Sequence, residues 1–258
     1  MHESSEMQTL HLADGTAIAY HRSPGKSPGV AFLGGFMSDM TGTKAIALET
    51  WCQARGQAFV RFDYSGHGAS SGRFEDGTIG RWATEASAVV EQLSADPQIL
   101  VGSSMGGWIM LLVARARPER IAGLLGVACA ADFTESMIWQ GLDEVTRARL
   151  QRDGVIYVPS DYADEEPYPI TLNLIKEARA HLLLGEKNLA AITCPVRLLH
   201  GMQDASVPWR TSTQVAERLA SDNVRVILVK DGEHRMSRDG DLALLTELLG
   251  DLIAETRS

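Results

Sequence analysis

Residues 98–112, Gln98-Ile99-Leu100-Val101-Gly102-Ser103-Ser104-Met105-Gly106-Gly107-Trp108-Ile109-Met110-Leu111-Leu112, read as an apolar strand that turns abruptly into an apolar helix. The turn carries the pattern GxSxG centred on Ser104. A tight strand-to-helix turn forces its central residue into a strained, exposed conformation, and its two arms approach so closely that the flanking positions must be small. Gly102 and Gly106 meet that demand around Ser104. Centring the turn on Ser103 would put Val101 and Met105 at the crowded positions, so Ser103 is read as a turn residue beside the site. The helix start presents unpaired N–H donors and the positive end of the dipole, and the Met105 N–H is therefore expected to face a developing oxyanion.

Working outward from this turn, short apolar runs alternate with helical stretches. Val30 to Leu33 precedes a helix over 43–55, Ala58 to Phe62 precedes one over 79–93, and 98–101 precedes one over 105–116. Strands without polar alternation belong to a parallel sheet covered on both faces. Upstream, Gln8 to Leu12 and Ala17 to His21 flank Asp14-Gly15, which predicts an opening hairpin. A sixth strand spans Ile121 to Ala128. The rhythm then stops between Asp132 and Leu189, where Gly154, Pro159, Pro167 and Pro169 separate helix-like pieces. Sheet character returns at Pro195 to His200 and Val224 to Val229, followed by helices over Pro208 to Leu219, with Pro208 at a first helical position, and Asp241 to Ala254. The expected fold class is α/β, a mostly parallel eight-stranded sheet with helices on both faces. Residues 1–131 and 190–258 would form the core, and 132–189 a small helical cap inserted after strand six. The acidic run Asp164-Glu165-Glu166 reads as a solvated loop.

Bulk properties narrow the function. The chain has 258 residues, 45% hydrophobic and 22% charged, the make-up of one ordinary globular domain. A formal net charge of -9 argues against a nucleic-acid backbone or an anionic membrane surface as the main partner. No segment approaches the roughly 20 apolar residues of a membrane span. Cys52, Cys129 and Cys194 are scattered, with no CxxC or Cys/His cluster to suggest a metal, and read as buried thiols in a reducing compartment. Met1-His2-Glu3-Ser4-Ser5-Glu6 lacks the basic start and apolar run of a signal peptide, so a cytoplasmic location is expected.

A serine hydroxyl needs a base, and histidine has the appropriate pKa. His2, His11 and His21 lie in the tail or hairpin, His181 in the cap segment, and His200 ends an apolar strand, where a satisfied core role is expected. His67 and His234 remain. In a strand-turn-helix serine site the order is Ser, acid, His, which selects His234 in the loop after the last strand. The acid should come from another loop on the same edge, and Asp204, just past the strand Pro195 to His200, fits. Asp132, which begins the cap, and Asp231, too close to His234 along one turn, are the rivals. Gly34-Gly35-Phe36 follows the third strand, where a second oxyanion donor is expected, and the Phe36 N–H is the candidate.

Arg61-Phe62-Asp63-Tyr64-Ser65-Gly66, Gln98 to Trp108, Leu198 to Asp204 with Val207-Pro208-Trp209, and His234-Arg235-Met236 together resemble the α/β hydrolases over nearly the whole chain. The resemblance is closer to a mammalian mitochondrial branch, and it implies a hydrolase of acyl-glucuronide esters and fatty-acyl thioesters with no metal or organic cofactor. His67-Gly68 and the absence of a transit peptide depart from that branch and point to a bacterial relative. The resemblance supports Ser104, Asp204 and His234 as the catalytic set. The expected activity is a carboxylic-ester hydrolase with a small-molecule acyl ester or thioester as partner, a thioesterase being the alternative. Haloperoxidases, carbon–carbon bond hydrolases and non-catalytic binding proteins also use this scaffold. For the substrate pocket the candidates are Met137 and Trp139, with Ile138, Leu172 and Leu174 as further apolar residues. Arg152, Lys176 and Arg179 could meet a carboxylate but read as solvated.

Overall fold

A strand points successive side chains to opposite faces, so a run apolar at every position needs cover on both sides. The computed structural model, which describes residues 6–93, 96–159, 167–185 and 189–256, supplies that cover. The chain runs β1 (Gln8–His11), β2 (Ala17–Ser23), β3 (Lys26–Leu33), α1 (Thr43–Ala54), β4 (Gln57–Phe62), α2 (Ile79–Leu93), β5 (Gln98–Ser103), α3 (Met105–Ala116) and β6 (Ile121–Val127). An inserted segment follows, with a π-helical stretch at Thr134–Trp139, α4 (Glu144–Asp153), β7 (Val155–Val158), β8 (Tyr168–Thr171) and α5 (Leu172–Ala178). The sheet then resumes with β9 (Val196–Gly201), α6 (Arg210–Arg218), β10 (Val224–Val229) and α7 (Asp239–Glu255).

Eight strands form one sheet in the order β1-β2-β4-β3-β5-β6-β9-β10. β2 is antiparallel to both neighbours, and the other pairings are parallel. Leu33, Leu100, Leu124 and Leu198 enter the layer that holds α2 and α3, with Trp82 and Trp108 fully buried. Phe32, Ile99, Leu125 and Leu199 point the other way, onto Leu48 of α1 and Leu245 and Leu249 of α7. α3 is buried from Met105 to Ala114 because the sheet covers one side and the other helices and the inserted segment the rest. Trp108 Nε1–H donates to the His181 carbonyl at 3.1 Å and ties α3 to that segment. From β3 the chain passes to β4 on one side and β5 on the other, and such a reversal opens a crevice at the carboxyl edge.

The inserted segment is not purely helical. β7 and β8 form an antiparallel two-stranded sheet, in which Ile156 is buried and Tyr157 exposed. That alternation is a strand signal, and Pro169 inside β8 hides it; a two-stranded sheet has only edge strands, where proline is tolerated. Gly154 ends α4 in the left-handed conformation, φ 79°. Pro208 lies before α6 rather than at its first position, its carbonyl accepting the Thr211 N–H in a turn. Ser103 is the last residue of β5 rather than part of the turn. Asp164-Glu165-Glu166 and Met1 to Ser5 lie outside the described residues. Among the described residues no helix is long and apolar enough to cross a membrane.

His67 is buried among rings, edge-on to Tyr64, Phe74 and Trp82 at 5.6, 5.0 and 5.2 Å. Its Nδ1–H donates to the Ser65 carbonyl at 3.2 Å, and burial pushes its pKa from 6.5 down to about 4. Since the folded value lies below the unfolded one, the stability is fully present above the unfolded value and lost as the pH falls toward the folded one. Complete protonation costs about 3 kcal/mol. Urea midpoints should therefore fall between neutral pH and pH 4 in the wild type and flatten in His67→Phe, which keeps the ring packing. An equal pH slope in both proteins would refute this origin of the acid sensitivity.

Candidate active site

The elbow is built by close backbone approach. Ser104 has φ 54° and ψ -118°, a conformation that side chains other than hydrogen rarely adopt. Its N–H donates to the Val127 carbonyl at 2.9 Å, and its own carbonyl accepts the N–H groups of Gly107 at 2.9 Å and Ala130 at 3.1 Å. A Cβ at Gly102 would overlap the Gly106 carbonyl, and one at Gly106 the Leu33 carbonyl. The small residues expected from the motif are thus required by β3 and α3 on either side of the turn.

Loops after β5, β9 and β10 converge at this point. Ser104 Oγ–H donates to His234 Nε2 at 3.1 Å, and His234 Nδ1–H donates to Asp204 Oδ2 at 2.7 Å. The Asp204 side chain is fully buried. Its Oδ1 accepts the N–H groups of Ser206 at 2.9 Å and Val207 at 2.7 Å. Burial opposes ionisation of Asp204, but hydrogen bonds from His200 and His234, the His234 charge and the Val207 N–H outweigh it and hold the carboxyl well below the ordinary range. The carboxylate therefore stays charged and fixes the His234 tautomer, leaving Nε2 free to accept from serine.

His200, read from sequence as a satisfied core histidine, touches this chain directly. Its Nε2–H donates to Asp204 Oδ2 at 3.1 Å and to the Val207 carbonyl at 3.0 Å. The available signal was local spacing, since His200 is the penultimate residue of β9 and stands four residues before Asp204. The rival acids are engaged elsewhere. Asp132 accepts the N–H groups of Leu183 at 2.7 Å and Leu184 at 2.8 Å, anchoring the return of the inserted segment, and Asp231 pairs with Arg238 at 2.9 Å.

The loop after β3 lies against the serine, since a Cβ at Gly35 would sit 3.5 Å from Ser104 Cβ. Among the described residues the Phe36 N–H makes no hydrogen bond, and Met105, as the first residue of α3, has no intrahelical acceptor for its own. Both residues border the same cavity as Ser104 and His234.

Two cavities meet at Ser104. One, about 430 Å³, is apolar and lined by Phe133, Met137, Ile138, Leu142, Ile170 and Val207. The other, about 420 Å³, is polar and lined by Ser38, Thr41, Thr43, Lys44, Arg235 and Ser237. Lys44 donates through Nζ to the Arg235 carbonyl, and burial with the neighbouring Arg235 charge pushes its pKa down to about 8. Met137 faces the apolar cavity, whereas Trp139 does not border it. The guanidinium groups of Arg147 and Arg179 lie over the Trp139 ring, 5.0 and 4.9 Å from its centroid. The segment is wound as a π-helix, with the Gln140 N–H donating to the Glu135 carbonyl. Leu174 is buried in the main apolar layer, and Leu172 packs beside the small cluster around Leu150 and Ile156. Arg152 pairs with Asp153 and Arg179 with Glu135.

Cys52 and Cys129 are buried free thiols pushed up to about 12, while Cys194 is half-buried and pushed up to about 11. Among the described residues no group of three or more His, Cys, Asp or Glu is placed to hold a metal ion.

Comparison with known proteins follows the same lines. The alpha/beta hydrolase family matches residues 50–243. The Bos taurus protein named palmitoyl-protein thioesterase ABHD10, mitochondrial, is 46% identical over 236 residues, covering 92% of this chain and 76% of that one. The structure of alpha/beta hydrolase domain-containing protein 10 from mouse superposes with a TM-score of 0.90 at 42% identity, covering 97% of this chain and 99% of that one. A putative hydrolase from Agrobacterium vitis S4 superposes at 0.89 with 37% identity, covering 96% of this chain and 98% of that one. Strand order, the strained elbow and these relatives agree on one assignment: the chain is a hydrolase and belongs to the alpha/beta hydrolase family.

Proposed function

We propose that the protein is a serine hydrolase that cleaves carboxylic esters by acyl transfer to Ser104 and then to water. The observation that carries this is the unbroken hydrogen-bonded chain from Ser104 through His234 to Asp204, opening on an apolar and a polar cavity. Ser104 attacks the acyl carbon while His234 takes its proton, and the Phe36 and Met105 N–H groups receive the oxyanion. His234 then protonates the leaving group and activates the water that releases the acid. Asp204 holds the tautomer throughout. The apolar cavity suits the acyl chain and the polar one the leaving group.

A second reading, thioester hydrolysis, is favoured by the name of the Bos taurus relative, which is a palmitoyl-protein thioesterase. The same serine chemistry serves both bonds. kcat/KM for matched acyl esters and acyl thioesters, together with fluorophosphonate labelling of Ser104, decides between them. Absence of labelling with no turnover of either series would overturn the proposal.

Met137 is the side chain by which the acyl cavity can be shortened. Met137→Trp should lower kcat/KM for long-chain relative to short-chain acyl esters by about tenfold or more. A chain-length series on both proteins tests it, and parallel profiles would remove Met137 from the acyl site.

A further inference from the structure

Two imidazoles meet one carboxylate oxygen in this site. Asp204 Oδ2 accepts from His234 at 2.7 Å and from His200 at 3.1 Å, while Oδ1 accepts two backbone N–H groups. His200 Nε2 faces only acceptors, the carboxylate oxygen and the Val207 carbonyl at 3.0 Å, so it must carry a hydrogen. Nδ1 faces the Ser212 hydroxyl at 2.7 Å, which can donate to it. His200 and Ser212 are both fully buried, so Ser212, projecting from α6, selects the ring orientation. Three of the four donors to the carboxylate, from His200, Ser206 and Val207, come from β9 and its own following loop. Only the fourth comes from the loop that carries the proposed base.

We propose that His200 is a positioning residue for the acyl transfer, clamping Oδ2 of Asp204 through an obligate Nε2–H donor so that this oxygen remains aimed at His234 Nδ1. The proposal rests on Ser104 as nucleophile and extends the site to His200 and Ser212. Its electrostatic consequence has a definite sign. A donor on Oδ2 draws charge from it and makes it a weaker partner for a protonated His234. Removing the donor strengthens that pairing, so His234 would hold its proton to higher pH and the acidic limb of kcat/KM would move upward. The titratable groups in contact with His200 and Asp204 are each other and His234; α6 contributes the neutral Ser212 and the loop the Val207 carbonyl.

The test compares His200→Leu, His200→Gln and Ser212→Ala with the wild type, all in the full chain. Rates on a short acyl ester are divided by the number of sites titrated with a fluorophosphonate. His200→Leu should lose about ten- to a hundredfold in kcat with KM nearly unchanged, and its acidic limb should rise by about half to one pH unit. His200→Gln, which restores an N–H donor, should recover most of the rate and return the limb toward wild type. Ser212→Ala, in which the ring loses its orienting hydroxyl, should move both in the direction of His200→Leu. A wild-type limb in His200→Leu, or equal defects in the Leu and Gln variants, would reduce His200 to packing. Should His200→Leu fail to fold, an unshifted limb in Ser212→Ala overturns the proposal instead. Loss of fluorophosphonate titration in the wild type itself would defeat the serine mechanism, and so separates the two failures.

Discussion

Ser104→Ala lowers acyl-ester hydrolysis by roughly five to six orders of magnitude, because the remaining groups can bind the substrate and hold an oxyanion but supply no nucleophile. The unfolding midpoint should barely move, since the substitution removes one hydroxyl hydrogen bond at a partly exposed position. The backbone strain also stays. Ser104 is held at φ 54° by the Val127 carbonyl and by the N–H groups of Gly107 and Ala130, none of which depends on its side chain. Ser104→Gly gives the contrast: equally inactive, yet more stable than Ser104→Ala by about 1 kcal/mol, because glycine adopts that conformation without a Cβ penalty. Steady-state kinetics and urea unfolding of both variants check the pair. Near-normal turnover in Ser104→Ala would end the serine mechanism, and equal stability of the two variants would show that the elbow stores no strain.

Asp204→Asn is expected to lower kcat by roughly four orders of magnitude, through the orientation its amide is forced to adopt. Oδ1 of Asp204 accepts two backbone N–H groups, so the amide oxygen of asparagine must take that side. Its NH2 then replaces Oδ2, where it faces His200 Nε2–H and His234 Nδ1. An N–H donor at that position requires His234 Nδ1 to accept, which moves the ring proton to Nε2 and leaves no base for Ser104. The opposing donors of the amide and His200 add a destabilisation of about 1 to 3 kcal/mol, as expected for a buried donor without an acceptor. Single-turnover kinetics should show loss of the acylation rate with substrate affinity retained, and chemical unfolding should show the stability deficit. An active, fully stable Asp204→Asn would mean that another group orients His234.

Much of this site was legible in the chain as written. The elbow could be placed because its requirement is local and steric: Gly102 and Gly106 flank Ser104, and β5 and α3 are apolar segments whose lengths distinguish strand from helix. A mostly parallel, doubly covered sheet could be inferred because strands apolar on both faces need helices on both sides, whereas the order of its strands came from the structure. His234 and Asp204 were identified by their places after β10 and β9, an argument about position that says nothing of distance.

Other features depended on contacts between residues distant in sequence. Trp139, named with Met137 for the substrate pocket, does not line the apolar cavity, and the guanidinium groups of Arg147 and Arg179 lie over its ring, contacts the sequence does not reveal. Pro169 concealed β8, whose tolerance for proline follows from pairing with β7 alone. His200 looked like an ordinary apolar-strand residue, since its role depends on where Ser212 and Val207 are brought by the turn into α6. The sequence by itself determined the fold class, the elbow and the order of the polar residues, all set by local sterics and hydrophobic periodicity. Only the tertiary structure decided which oxygen of Asp204 meets which imidazole and which inserted side chains face the cavity, because hydrogen-bond direction and side-chain facing are set when separate loops pack together.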